Sequence, residues 1–226
     1  MKKSYWIILF VIILAANLLG IYLDNEIMRF TTKPLLVIVL AGYFLTLTKI
    51  WQNNLKRWIL AALLFSWVGD VLLLFEPRAS IFFLLGLSAF LLAHIFYITL
   101  FHNIRLKENV KSNWLLLLVV VVYYAILITI LSPYLGNMKL PVRIYGIFIS
   151  FMFMLAMHML FIKNKIAGRW MMLGALLFVA SDSLLAINKF YQQFDSAAII
   201  IMLTYGLAQF FITEGTIRYI RSAKPI

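Results

Sequence analysis

Eight apolar runs follow one another along this chain, each close to the about 20 residues that a helix needs to cross a bilayer. They lie at roughly 4–23, 31–49, 57–75, 79–101, 113–131, 141–162, 169–188 and 196–217. The breaks are short and polar, such as Asp24-Asn25-Glu26, Gln52-Asn53-Asn54 and Glu76-Pro77-Arg78. Backbone inside hydrocarbon must satisfy its own hydrogen bonds, so such runs are expected as helices. The pattern predicts an all-α fold: one polytopic membrane bundle of eight transmembrane helices, a single domain over residues 1–226. No break is long enough for a further domain, so any chemistry belongs inside the bundle or at its rim. Pro34 and Pro141 are expected in the first turns of helices two and six, where a missing N–H costs nothing.

Composition closes the other routes. The chain is 65% hydrophobic and only 12% charged, whereas soluble domains sit near 45–50% apolar and about 25% charged. A soluble globular enzyme is excluded, and so is a disordered chain. There is no cysteine, which removes disulfides, thiolate zinc sites, cysteine nucleophiles and iron–sulfur ligation. The net charge of +12 arises from 20 Lys and Arg against 8 Asp and Glu. These cations fall between the apolar runs, as membrane topology demands, and form no basic stripe with aromatic platforms, so no nucleic-acid partner is expected.

Fourteen of the cations lie on the side of the N-terminus, among them Lys2, Lys3, Lys111 and Lys224, and six on the other, among them Arg29, Lys33 and Lys189. This bias predicts both termini in the cytoplasm and a multi-pass protein of the inner (plasma) membrane. The first run follows Lys2 and Lys3 but shows no small-x-small cleavage site before Asp24, so it is expected to stay as the first helix.

A weak internal repeat runs through the chain. A shift of 112 residues carries Arg57-Trp58 onto Arg169-Trp170, Asp70 onto Asp182, and Leu72-Leu73 onto Leu184-Leu185. This suggests a 4+4 pseudo-repeat, two four-helix halves in parallel orientation.

Most acidic residues belong to loops. Glu214 is expected as an i,i+4 pair with Arg218 at the membrane interface. Asp70 and Asp182 are different. Each stands thirteen residues beyond a boundary arginine, Arg57 or Arg169, or roughly 20 Å along its helix. A carboxylate at such depth is costly unless paired, protonated or facing water. Two level carboxylates sharing a proton would supply a general acid and an anion together, which suits acid-catalysed opening of an ether-like bond through an oxocarbenium-like transition state. The same pair would suit proton-coupled transport.

His94 is expected about 15 Å deeper than Asp70, counted by helical rise from the outer turn, so no metal site is expected. His102 and His158 are expected to be solvated. Lys33 is either a snorkelling interfacial lysine or a phosphate contact for a lipid headgroup. Tyr97, Ser181, Tyr205 and Gln209 are polar groups within spans that could line a pocket or tie helices.

Two segments carry a family resemblance. Ala62-Leu63-Leu64-Phe65-Ser66-Trp67-Val68-Gly69-Asp70-Val71-Leu72-Leu73 and Gly174-Ala175-Leu176-Leu177-Phe178-Val179-Ala180-Ser181-Asp182-Ser183-Leu184-Leu185-Ala186 resemble the hallmarks of the YhhN-like, or lysoplasmalogenase, family of multi-pass membrane proteins. Lys33-Pro34, Gly86 with Ala93-His94 and Tyr97, and Tyr205 with Ala208-Gln209 match the same family in order and spacing. The resemblance implies a hydrolase that splits the vinyl ether bond of lysoplasmalogens into a fatty aldehyde and a glycerophospho-base. It implies Asp70 and Asp182 as catalytic carboxylates and Lys33, His94, Tyr97, Ser181, Tyr205 and Gln209 as substrate-binding or supporting residues. The partners would be a lysophospholipid substrate and membrane lipids, with no cofactor and no metal. The alternatives are a proton-coupled transporter of a small amphiphile, and a structural membrane protein in which the two aspartates tie helices together.

Overall fold

The computed structural model describes residues 3–51 and 53–222. Lys2, Gln52 and Lys224, which enter the charge and loop reading above, lie outside the described residues. The described chain folds into α1 (Lys3–Tyr22), α2 (Glu26–Thr48), α3 (Leu55–Leu74), α4 (Ile81–Lys107), α5 (Trp114–Leu131), α6 (Lys139–His158), α7 (Lys165–Ala186) and α8 (Ala197–Ser222). All eight spans are long and apolar enough to cross a membrane. Their outward faces are apolar; α5, for example, exposes Leu115, Leu117, Leu118, Val121, Val122, Ile126 and Ile130 and buries only Val120 and Leu131. Such a surface is stable only against lipid, and the protein is a multi-pass membrane protein.

The breaks are polar because helices start there. Asn25, Asn113 and Asn164 cap α2, α5 and α7, accepting from the backbone N–H of Met28, Leu115 and Ala167 at 2.9–3.0 Å. Each cap satisfies one of the donors that a helix start leaves over. The Asn25 cap corrects the expected place of Pro34. The cap begins α2 at Glu26, so Pro34 lies inside the helix and not in its first turn. It removes one backbone hydrogen bond there, one residue beyond Lys33. Pro141 does lie in the first turn of α6.

α3 packs along α4, and α7 along α8. The second crossing is close because Gly174 has no side chain. A Cβ there would stand 2.7 Å from the Ile212 nitrogen and 2.8 Å from the Ala208 oxygen. Those are backbone atoms that cannot step aside. We expect Gly174→Ala to lower stability by about 1–3 kcal/mol, read as a fall in the thermal midpoint in detergent.

At the end where α1 begins and α8 ends, Glu214 forms the expected pair with Arg218, Nε to Oε1 2.6 Å. It is not a surface residue of the protein, however. It is 1% exposed and also accepts from Lys3 Nζ and Tyr43 Oη, each at 2.5 Å. Three donors from three helices compensate the buried charge. His158 is likewise not solvated. It is 1% exposed, its Nδ1 donates to the Met154 carbonyl at 2.8 Å, and its Nε2 accepts from Asn113 N–H at 3.2 Å. His102 is exposed, as expected.

α7 does not end cleanly. Residues Ile187–Tyr191 continue it as a π-helical turn, with the Gln192 N–H reaching back five residues to the Ile187 carbonyl at 2.9 Å. Turns of this kind shift side chains off the register of the preceding helix.

Candidate active site

Asp70 sits on α3 and is 1% exposed. Tyr205 of α8 donates to its Oδ2 at 2.7 Å, and Lys33 Nζ of α2 stands 3.7 Å from its Oδ1. Behind Tyr205 the network continues. Gln209 Nε2 donates to Tyr205 Oη at 3.3 Å, and Gln209 Oε1 accepts from Tyr97 Oη at 2.5 Å. Every hydrogen in this chain points toward Asp70, as a carboxylate that only accepts requires. Four helices are tied by one line of polar side chains inside an apolar core.

Asp182 on α7 has different partners. Tyr145 of α6 donates to its Oδ2. His94 Nε2 of α4 lies 3.3 Å from the same oxygen and 2.8 Å from Tyr145 Oη. Tyr145 gives its single hydrogen to Asp182, so His94 Nε2 is the donor in this triad. Asp182 Oδ1 takes no hydrogen bond among the described residues, and the Asp182 side chain is 14% exposed. Of the two aspartates, Asp182 is therefore the one with an oxygen left to offer.

His94 meets Asp182 on α7, and not Asp70, from which it is expected to stand apart in depth. Counted from the other end, His94 stands thirteen residues from Lys107, Asp70 fifteen from Leu55, and Asp182 seventeen from Lys165.

The two carboxylates do not share a proton-bearing hydrogen bond. An aromatic partition stands between their networks. Phe90 meets Tyr205 edge-on at 5.8 Å and Phe178 at 6.4 Å, and Phe178 meets His94 at 4.8 Å and Tyr205 at 5.5 Å. Phe90 lies flat against α3 because Gly69, just before Asp70, is bare; a Cβ there would meet the Phe90 ring at 2.6 Å.

Two cavities adjoin these networks. A polar chamber of about 220 Å³ is lined by Asn17, Arg29, Lys33, Glu76, Asn188 and Lys189, with Leu73, Phe83 and Leu185 among its apolar residues. A narrow apolar cleft of about 40 Å³ is lined by Phe90, Tyr145, Asp182 and Phe190, and again by Leu73, Phe83 and Leu185. The three shared side chains are a common wall. The π turn serves both sides, sending Asn188 and Lys189 to the chamber and Phe190 to the cleft.

Of the expected site residues, Lys33 lines the chamber and Asp182 the cleft. Asp70, Tyr205, Gln209 and Tyr97 form the network behind Lys33, and His94 stands fully buried behind Tyr145. Ser181 turns away and donates to the Ile201 carbonyl at 2.9 Å, so its visible role is to tie α7 to α8. Among the described residues no three His, Asp or Glu side chains gather as a metal-ligating set. Sequence reasoning missed Tyr145, which reads as one more aromatic of an apolar run. It also missed Asn17, which lies within the first apolar run, and Arg29, Glu76 and Lys189, which read as ordinary loop or helix-end charges.

The chain is similar to proteins named lysoplasmalogenase. It is 32% identical over 163 residues to that of Mycobacterium bovis, covering 71% of this chain and 60% of the relative. It is 33% identical over 189 residues to lysoplasmalogenase TMEM86B of Homo sapiens, covering 82% and 74%. It is 31% identical over 175 residues to human lysoplasmalogenase TMEM86A, covering 74% and 67%. The match thus spans three-fifths of the mycobacterial relative's length. No solved structure matches the chain. The profile of the YhhN family matches residues 28–216, a stretch that holds both aspartates, all their hydrogen-bond partners and most of the chamber wall, and on that match the chain belongs to the YhhN family.

Proposed function

We propose that this protein is a membrane hydrolase that cleaves the vinyl ether bond of a lysophospholipid, releasing a fatty aldehyde and a glycerophospho-base. The observation that carries the reading is the shared wall: a cation-lined polar chamber abuts an apolar cleft that ends on a carboxylate with a free oxygen. A lysolipid has the same division, a phosphate head joined to an apolar chain, with the ether bond at the join. The names of the relatives support the same substrate class.

The chemistry follows from the two sides. The head enters the chamber, where Lys33 faces its phosphate. The first carbons of the chain enter the cleft, which is too small for more of it. Asp182, in its protonated form, gives a proton to the vinyl carbon remote from oxygen, and the ether oxygen shares a lone pair to form an oxocarbenium ion. A cleft of about 40 Å³ also has room for water, which needs roughly 10–15 Å³ per molecule by this measure. Water adds to the oxocarbenium carbon and returns a proton to Asp182. The hemiacetal then collapses to an aldehyde and a glyceryl hydroxyl, with one water consumed. Tyr145 and His94 hold Asp182 Oδ2, which leaves Oδ1 for the substrate. Asp70 keeps Lys33 at the chamber wall and is itself held by Tyr205, Gln209 and Tyr97.

The test is aldehyde release from a vinyl ether lysophospholipid by the purified protein in detergent. Stoichiometric aldehyde and glycerophospho-base are expected. A folded protein that forms no product but exchanges a labelled amphiphile across liposomes would replace this reading with transport.

The Lys and Arg asymmetry supports termini in the cytoplasm of the inner (plasma) membrane, which puts the chamber on the outer side. With no native cysteine, single cysteines report this directly. Asp195→Cys is expected to react with an impermeant maleimide on intact cells, and Lys111→Cys only after permeabilisation. The reverse pattern inverts the topology.

A further inference from the structure

One polar side chain of the chamber wall keeps an acceptor without a partner among the described residues. Asn17 of α1 lines the chamber and is 1% exposed. Its amide orientation is fixed by its neighbour. Thr32 gives its only hydroxyl hydrogen to the Met28 carbonyl at 2.6 Å. Its oxygen can then only accept, so the Asn17 atom 2.8 Å away is the Nδ2 donor. That leaves Asn17 Oδ1 as a buried acceptor without a partner. Buried acceptors are rarely left unmet, and each asks for an explanation. The chamber is lined by three cations, each also beside a carboxylate: Arg29 meets Asp24 at 3.6 Å, Lys33 meets Asp70 at 3.7 Å, and Lys189 meets Glu76. An anion suits the cations, but only a hydrogen-bond donor suits Asn17 Oδ1.

We propose that the chamber reads the glycerophosphate part of the lysolipid in two ways, and that Asn17 is the residue that demands a free glycerol hydroxyl. The proposal rests on the lysolipid reading above and adds its specificity. The phosphate lies against Arg29, Lys33 and Lys189. The unesterified hydroxyl beside the ether-bearing carbon donates to Asn17 Oδ1. A lysolipid carries that hydroxyl, whereas a two-chain lipid carries an ester in its place and has no hydrogen to give. A site built around such an acceptor rejects a ligand that lacks the donor, because the acceptor stays buried and unpaired. Asn17 lies outside the family-matched span of 28–216, so the determinant is contributed by α1 of this chain.

Binding tests this apart from turnover. The probes are an alkyl-ether lysophospholipid, which has no vinyl bond to cleave, and its counterpart with the same hydroxyl capped as a methyl ether. Affinities are measured for the full-length protein in detergent. The free-hydroxyl lipid is expected to bind roughly ten- to a hundredfold more tightly. Asn17→Leu, which removes the acceptor at similar volume, is expected to bring the two affinities together. Arg29→Gln is expected to weaken both alike. Equal affinities in the wild-type protein overturn the proposal without any variant, and so does a preference that survives Asn17→Leu. A preference that depends on Asn17 in a protein that releases no aldehyde upholds the chamber's reading and overturns only the hydrolase.

Discussion

Asp182→Asn is expected to cut aldehyde release by about 10²–10⁴-fold, the range that a positioned general acid–base contributes, while the thermal midpoint moves little. The amide is nearly the size of the carboxyl and still offers Tyr145 an acceptor, so the triad with His94 can persist. What it lacks is an exchangeable acidic proton at the oxygen facing the cleft. Tyr145 and His94 both bind Oδ2, and Oδ1 is the oxygen left to the substrate. The assay is initial rate against a vinyl ether lysophospholipid, compared at matched monodispersity and midpoint. Full activity in Asp182→Asn would remove the aspartate from the proton steps and with it the mechanism drawn above.

Asp70→Asn is expected to act differently, on the fold first and on turnover through it. Its carboxylate is buried and faces Lys33 at 3.7 Å. Neutralising it strands an ammonium whose side chain is only 18% exposed. Breaking a buried pair from one side costs about 3–5 kcal/mol, and the remaining access of Lys33 to the chamber puts the expected loss near the lower figure. The paired replacement separates the two effects. Lys33→Met with Asp70→Asn removes both charges while leaving Tyr205 an acceptor, and most of the lost stability should return, because no unpaired charge stays buried. Aldehyde release should not return, since the chamber has lost one of its cations. If the double variant regains activity along with its midpoint, Lys33 and Asp70 are a helix tie and nothing more.

Hydrophobicity made the eight spans legible, because lipid imposes one length on all of them. The ends were less legible. Asn25 starts α2 well before Pro34, and the arrangement of Asp24, Asn25 and Glu26 reads equally as a loop or a cap. The intramembrane aspartates stood out because a charge in hydrocarbon is costly wherever it occurs. Their partners did not. Tyr145 is one tyrosine among 11, and nothing local distinguishes it from a core aromatic. The pairing of His94 with Asp182 joins α4 to α7, and no local signal marks a contact between residues so far apart in the chain. Asn17 could not be read at all, since its importance comes from what Thr32 does with a single hydrogen.

The buried Glu214 bears on how the chain is assembled. Its contact with Lys3 joins residues 211 apart, so α1 is clasped by α8. α8 also brings Ala198, Ile201 and Met202 to the chamber opposite Asn17 and Ile21 of α1. A nascent chain that has inserted seven helices therefore has an open-sided chamber, an ammonium and a tyrosine hydroxyl awaiting their acceptor, and Asp70 without its tyrosine. Completion of the chamber and satisfaction of two buried carboxylates fall together when α8 packs in. A chain cut short before α8 is for that reason not a weakened form of this protein but an unfinished one, recognisable to the cell's quality control by polar groups left bare in lipid.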